Sequence, residues 1–215
     1  RDILARLIYG ARVSLIFAAS GVFFGIVIGG LVGSIAGYFR GFLETSLMFS
    51  VDVMLSFPAL IGFLCITQFL GRQDLFILCL VIAIFIWPPF SRVARATALS
   101  VSGKDFVTAA RAIGTSTRRI LFREIFPNVF PTLLAYGLVL LATLVILEST
   151  LSFLGLGVEI PTASWGGMIN QGRQDLLINI WPPIWPAATL LMTVFSFNNL
   201  ADWLQKQAAS RSAAI

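Results

Sequence analysis

Two carboxylates, Asp52 and Glu148, fall inside long apolar stretches of the chain. An ionisable group held within a membrane is costly and has to face a helix interface or a wet cavity. Such a group can gate or line a route for solute, or carry a proton; the plainer alternative is a helix cap or a polar tie between helices. Asp52 lies about two helical turns from the polar turn at Tyr38–Glu44, which favours the tie, whereas Glu148 lies deeper and both readings stand. Pro58 follows Asp52 closely and, with Pro88-Pro89, Pro182-Pro183 and Pro186, marks kinks that can open a cavity or act as hinges. There are no histidines, which removes the commonest metal ligand and the usual near-neutral proton carrier. Cys65 and Cys79 sit in apolar stretches and read as core or lipid-facing side chains. A Ser-His-Asp set is impossible, no glycine-rich phosphate loop with a following lysine is present, and no dense metal cluster stands out. The chain is therefore expected to be no enzyme, with no catalytic residue, cofactor or metal of its own.

The elements that must position these groups follow from composition. Of 215 residues, 58% are hydrophobic and only 12% charged. A soluble domain must wet its outer face and rarely carries so much apolar surface, whereas a bilayer favours apolar residues on the outside of every helix. The expected fold is all-α: a polytopic membrane protein with five transmembrane helices. Residues 1–12 form an amphipathic lead-in helix with Ile3, Leu4, Leu7 and Ile8 on one side. The transmembrane domain occupies residues 13–204, with spans over about Val13–Tyr38, Thr45–Leu70, Leu75–Phe90, Asn128–Leu156 and Leu176–Leu200, and a tail at 205–215. The third span is expected to end at Trp87-Pro88-Pro89, where proline breaks or kinks a helix. In the first span Gly21, Gly25, Gly29, Gly33 and Gly37 recur every fourth residue, which puts them on one face where another helix can approach closely. The Gly155–Asp175 link can touch an external partner or re-enter as a plug; the residues do not choose.

Charge orients the spans. The formal net charge is +5. The basic residues lie between apolar segments, as expected beside anionic lipid or cytoplasm, and not gathered on a wettable surface with polar readers, so nucleic acid is not an expected partner and membrane lipid is. Arg92, Arg95, Lys104, Arg111, Arg118, Arg119 and Arg123 crowd one segment, about residues 91–127, which is cytoplasmic by the positive-inside rule. The C-terminal tail then lies on the same side and residues 1–12 outside. A cytoplasmic N-terminus calls for a sixth helix upstream of Arg1.

The 91–127 segment is too patterned to be a connector. Gly103-Lys104-Asp105 starts a helix with Asp105 as N-cap, Gly114 ends it in a left-handed conformation, and Thr115 or Ser116 caps a second short helix over Thr117–Ile125 that stops before Pro127. Phe106, Ala109, Ala110 and Ile113 fall at i, i+3, i+4 and i+7, a low apolar face that can seat in a groove on a partner, ringed by Arg111, Arg118, Arg119 and Arg123. An amphipathic pair resting on lipid headgroups is the bland alternative.

Thr108-Ala109-Ala110-Arg111-Ala112-Ile113-Gly114, followed by Ile125-Phe126-Pro127, resembles the EAA loop of binding-protein-dependent ABC importer permeases. Arg1–Arg12, Val51-Asp52-Val53-Met54-Leu55-Ser56-Phe57-Pro58, Glu148–Gly157, Ser164-Trp165-Gly166 and Phe197–Asp202 are similar to signatures of the peptide/nickel branch, the dipeptide and oligopeptide permeases of the "C" type. Together they cover essentially the whole chain. The resemblance implies a permease subunit of the bacterial inner membrane that takes up peptides, paired with a second, homologous permease. It also implies two ATPase subunits that bind the ATP and magnesium, and an extracytoplasmic substrate-binding protein. It makes Lys104, Asp105, Phe106, Thr108, Ala109, Ala110, Arg111, Ile113, Gly114, Thr115 and Arg118 the ATPase-coupling residues, and Asp52, Pro58 and Glu148 the pathway or gate candidates. Thr108 departs from the family's usual Glu, and Asn199 and Ala201 from its usual Asn-Leu-Leu-Gly-Asp ending. A proton-coupled secondary carrier using Asp52 and Glu148 is the rival reading.

Overall fold

The computed structural model describes residues 2–71 and 74–212, so Arg72 and Gln73 of the expected Gly71–Asp74 loop lie outside the described residues, as do Arg1 and residues 213–215. Among the described residues the chain forms helices and no strand. They are α1 (Ile3–Phe39, with a wide π turn at Gly25–Gly29), α2 (Gly41–Ser56), α3 (Ala59–Leu70) and α4 (Leu75–Ser102). After these come α5 (Asp105–Ala112), α6 (Thr117–Phe153, with a second π turn at Ile120–Ile125), α7 (Trp165–Gly172) and α8 (Trp181–Ser212).

Among the described residues, α1, α4 and α6 are long and apolar enough to cross a membrane. The α2–α3 pair qualifies as one broken span, bent by 78° where Phe57 turns extended and Pro58 interrupts. Five spans were expected, and the fifth differs. The α8 helix starts at Trp181 rather than Leu176, and with Pro182, Pro183, Pro186 and the Asn198-Asn199 pair it is not among the helices apolar enough to cross alone. It runs to Ser212, so the polar tail is helical over its described part.

Two other boundaries move, both because proline is tolerated in these helices. Helix α4 does not end at Trp87-Pro88-Pro89 but continues through both prolines to Ser102. Prolines are tolerated inside membrane helices because local adjustments re-satisfy the freed backbone groups, and one turn on, the Ser91 hydroxyl donates to the Trp87 carbonyl at 3.1 Å. The second short helix likewise does not stop before Pro127. A widened turn, in which Phe126 N–H reaches back to the Leu121 carbonyl, carries the chain through Pro127 into α6. The Asn128 side-chain amide covers the Glu124 carbonyl at 2.6 Å.

The chain folds as two compact units. One comprises the chain up to Val22, Leu60–Ile82 and everything from Leu138. Its core holds Phe17, Phe63, Leu78, Leu144, Leu151 and Trp165, with Phe17 and Phe63 edge to face at 6.2 Å. The other comprises Phe23–Ala59 and Ala83–Gly137. Its core is built on Phe90, Ala94, Ala98, Ile120, Ile125 and Leu133. There the glycine stripe does what its period predicts. A Cβ on Gly37 would lie 2.7 Å from the Arg95 carbonyl oxygen, and one on Gly33 would overlap the Ser91 carbonyl, so only glycine permits this backbone approach.

Candidate coupling and membrane-interior sites

The short helix α5 is set by its two ends. Lys104, in extended conformation, is its N-cap, and Asp105 is its first helical residue rather than the cap. Gly114 has φ +76°, the left-handed conformation that glycine adopts without a Cβ penalty. Thr115 N–H donates to the Ala110 carbonyl at 3.0 Å and Gly114 N–H to the Arg111 carbonyl at 3.0 Å. That is a full Schellman stop. Ser116 then caps the start of α6 by position, without a side-chain hydrogen bond.

The face drawn from the sequence is open within this chain. Phe106 is 40% and Ile113 82% exposed, and Thr108, Ala109 and Arg111 are exposed as well. Val107, which no spacing singled out, is fully buried and holds α5 to its own unit. Arg111 is a second fastening: its guanidinium lies 4.8 Å above the Tyr38 ring, at the foot of α1. The sequence pattern places Arg111 in the surrounding charge and the family resemblance among the coupling residues; neither points to Tyr38 as its partner. Arg118 lies on the first turn of α6, exposed and beyond the bend at Gly114.

Asp52 sits within α2, half exposed, and forms an ion pair with Arg92 of α4 at 2.7 Å. One turn further along α4, Arg95 donates from Nε to Glu44 at 2.6 Å. Two basic residues of the cation-rich segment are thus ties between α2 and α4 rather than free charge. Pro58 occupies the break between α2 and α3.

In the other unit, Glu148 is 1% exposed. Its carboxylate accepts from the hydroxyls of Ser14, Ser152 (2.7 Å) and Ser149 (3.5 Å). Ser14 belongs to α1 and Ser149 and Ser152 to α6, so the carboxylate joins two helices and is saturated in place. Close by, α7 packs on α1. Trp165 Nε1 donates to the Leu7 carbonyl at 3.0 Å, Arg6 donates to Gln171 at 2.9 Å, and a Cβ on Gly10 would press on the Trp165 ring. Ser164 caps α7 by accepting from Gly167 N–H at 3.2 Å. The sequence signal for the serines was weak: Ser149 and Ser152 neighbour Glu148, but Ser14 is 134 residues away.

The expected site residues therefore divide. Residues 104–118, Asp52 and Pro58 fall in one unit and Glu148 in the other.

Three comparisons bear on this arrangement. The family model described as "Binding-protein-dependent transport system inner membrane component" matches residues 8–213. The glutathione transport system permease protein GsiD of Escherichia coli O157:H7 is 36% identical over 205 residues, covering 95% of this chain and 67% of that protein. The oligopeptide transport system permease protein OppC of Haemophilus influenzae is 34% identical over 205 residues, covering 95% and 66%. Among solved structures, an inward-facing conformation of the MetNI methionine ABC transporter superposes with a TM-score of 0.76 at 20% identity, covering 95% of this chain and 97% of that one. An amino acid ABC transporter with histidines gives 0.65 at 16% identity, covering 96% and 99%. The solved structures establish likeness of fold.

Proposed function

The chain belongs to the family of binding-protein-dependent transport system inner membrane components and is a permease subunit of an ABC importer, and from that premise we propose that it carries peptides and is driven through the helix Asp105–Ala112. Family membership displaces the rival reading of a proton-coupled carrier. Relatives named for glutathione and oligopeptide transport support a peptide substrate. In this reading a second permease completes the route and two ATPase subunits bind ATP and magnesium. An extracytoplasmic binding protein delivers the solute, and the cation-rich segment and C-terminus face the cytoplasm.

One observation carries the coupling role: α5 is fastened on one side and open on the other. Val107 and the Arg111–Tyr38 contact bind it to its own unit, while Phe106, Ala109 and Ile113 present an exposed apolar face. A groove on an ATPase subunit can take that face, with Lys104, Asp105, Thr108, Ala110 and Arg118 around it and Gly114-Thr115 fixing the exit angle. Motion of the groove then reaches α1 through Tyr38 and α6 through the bend at Gly114. For the route we propose Pro58 as the hinge of the α2–α3 pair. Asp52 and Glu148 act as gate groups through the helix ties they make.

The test is a photo-crosslinking side chain at Ala109 in the complete complex. Adducts on the ATPase subunit, strongest in the nucleotide-free state or changing with ATP, support the docking. Adducts confined to lipid mean that α5 rests on headgroups and that the coupling role belongs elsewhere.

A further inference from the structure

A second feature of the unit that holds α5 points to a ligand of a different kind. An apolar cavity of about 310 Å³ lies between the foot of α1 and the start of α6. Leu31, Ile35 and Phe39 line it from α1, a stripe at every fourth residue. Leu121, Phe122 and Phe126 line it from α6, where the π turn at Ile120–Ile125 adds a residue to the helical turn and brings these three to one face. Its one charged lining residue is Arg118. Among the described residues the ion pairs are Arg92–Asp52 and Arg95–Glu44, so Arg118 has no carboxylate partner there.

The cavity's level along the helices identifies what fits. Phe39 is the last residue of one helix apolar enough to span a membrane and Thr117 the first of another. Arg123 is the last cation of α6, and no charged residue follows between Glu124 and Glu148. The cavity therefore lies where headgroups give way to acyl chains. Benzene fills an apolar cavity of ~150 Å³, so a space twice that size takes on the order of ten chain carbons. An apolar slot with an unpaired guanidinium at this depth matches one molecule: an acyl chain beneath a phosphate. We propose that this cavity is a binding site for an anionic glycerophospholipid, with one acyl chain between α1 and α6 and the phosphate on Arg118. The site rests on the membrane reading of the chain; it shares Arg118 with the rim of the proposed α5 docking surface, whereas its apolar lining, Leu31, Ile35, Phe39, Leu121, Phe122 and Phe126, takes no part in that docking.

Native mass spectrometry of the complete transporter, released from nanodiscs holding equal phosphatidylglycerol and phosphatidylcholine, tests it. Wild type is expected to retain phosphatidylglycerol selectively. Arg118→Gln should lower that selectivity by about fivefold, the factor expected for one basic residue at an anionic surface. Ile35→Trp, which fills the slot, should remove retention of both lipids. A photo-crosslinker at Phe39 should then label lipid. No selectivity in wild type, unchanged selectivity in Arg118→Gln, or labelling of the second permease in place of lipid would each overturn the site.

Discussion

Arg111 holds its guanidinium 4.8 Å above the ring of Tyr38, joining the helix whose apolar face is open to the last full turn of the first membrane helix. An exposed cation–π contact contributes about 0.5–1 kcal/mol, too little to decide folding but enough to bias a moving part. Tyr38→Leu is therefore expected to leave assembly and ATP hydrolysis intact while uptake per ATP falls by roughly twofold to fivefold. Tyr38→Phe, which keeps the ring, should restore coupling. Parallel measurement of hydrolysis and uptake in proteoliposomes checks this.

The glycine stripe sets a steric limit. Gly33→Val forces a side chain into the backbone of α4 beside Ser91 and Ala94. Overpacking of this kind costs about 1–3 kcal/mol, and a lowered melting temperature of the purified complex in detergent is the readout. Gly41→Ala meets no neighbouring atom, and its cost is confined to backbone strain at φ +67°.

Glu148 separates two roles by experiment. As a tie between α1 and α6 it makes Ser14→Ala destabilising by roughly 1–2 kcal/mol, with uptake per folded transporter little changed. As a gate group it makes Glu148→Gln fold near wild type, because the amide oxygen still accepts on one side while its NH2 donates to a reoriented serine hydroxyl on the other, yet lose uptake several-fold. Melting curves and uptake on the same preparations tell these apart, and uptake at the wild-type rate in Glu148→Gln removes the gate role.

The Asp52–Arg92 pair is half exposed on both sides, so Asp52→Ala should cost no more than about 1 kcal/mol. Its effect is expected on transport, because the pair bridges α2 and α4 beside the Pro58 break. The exchanged pair, Asp52→Arg with Arg92→Asp, should recover what either single change loses. Uptake unaffected by the single changes would show that Asp52 has no part in gating.

Much of this was legible in the residues. Gly33 and Gly37 declared a close helix approach by their period, and Gly114 declared the end of α5, because both constraints are local. What stayed hidden depends on distant partners. Val107 looks like one apolar residue among several on α5 until the unit closes over it. Arg111 looks like solvated charge until Tyr38 is placed beneath it. Ser14 gains meaning from Glu148, far along the chain, and Trp165 from the Leu7 carbonyl. The prolines misled for another reason. Pro88, Pro89 and Pro127 read as stops by rules learned in water, yet the helices run on through them, at Pro127 by way of a widened turn. The residues before α8 misled in the opposite sense: Leu176–Ile180 is apolar enough to join the span, but Pro182 and Pro183 fix the helix start beside Trp181.

The most direct test of the coupling role is ATP-driven peptide uptake into proteoliposomes holding the complete complex, with wild type, Ala109→Glu and Gly114→Pro side by side. A carboxylate on the open face of α5, or a proline where φ is +76°, should leave membrane insertion normal and abolish uptake, with weaker retention of the ATPase subunits. Uptake at the wild-type rate in both variants, with the ATPase still bound, would contradict the assignment of α5 as the coupling element.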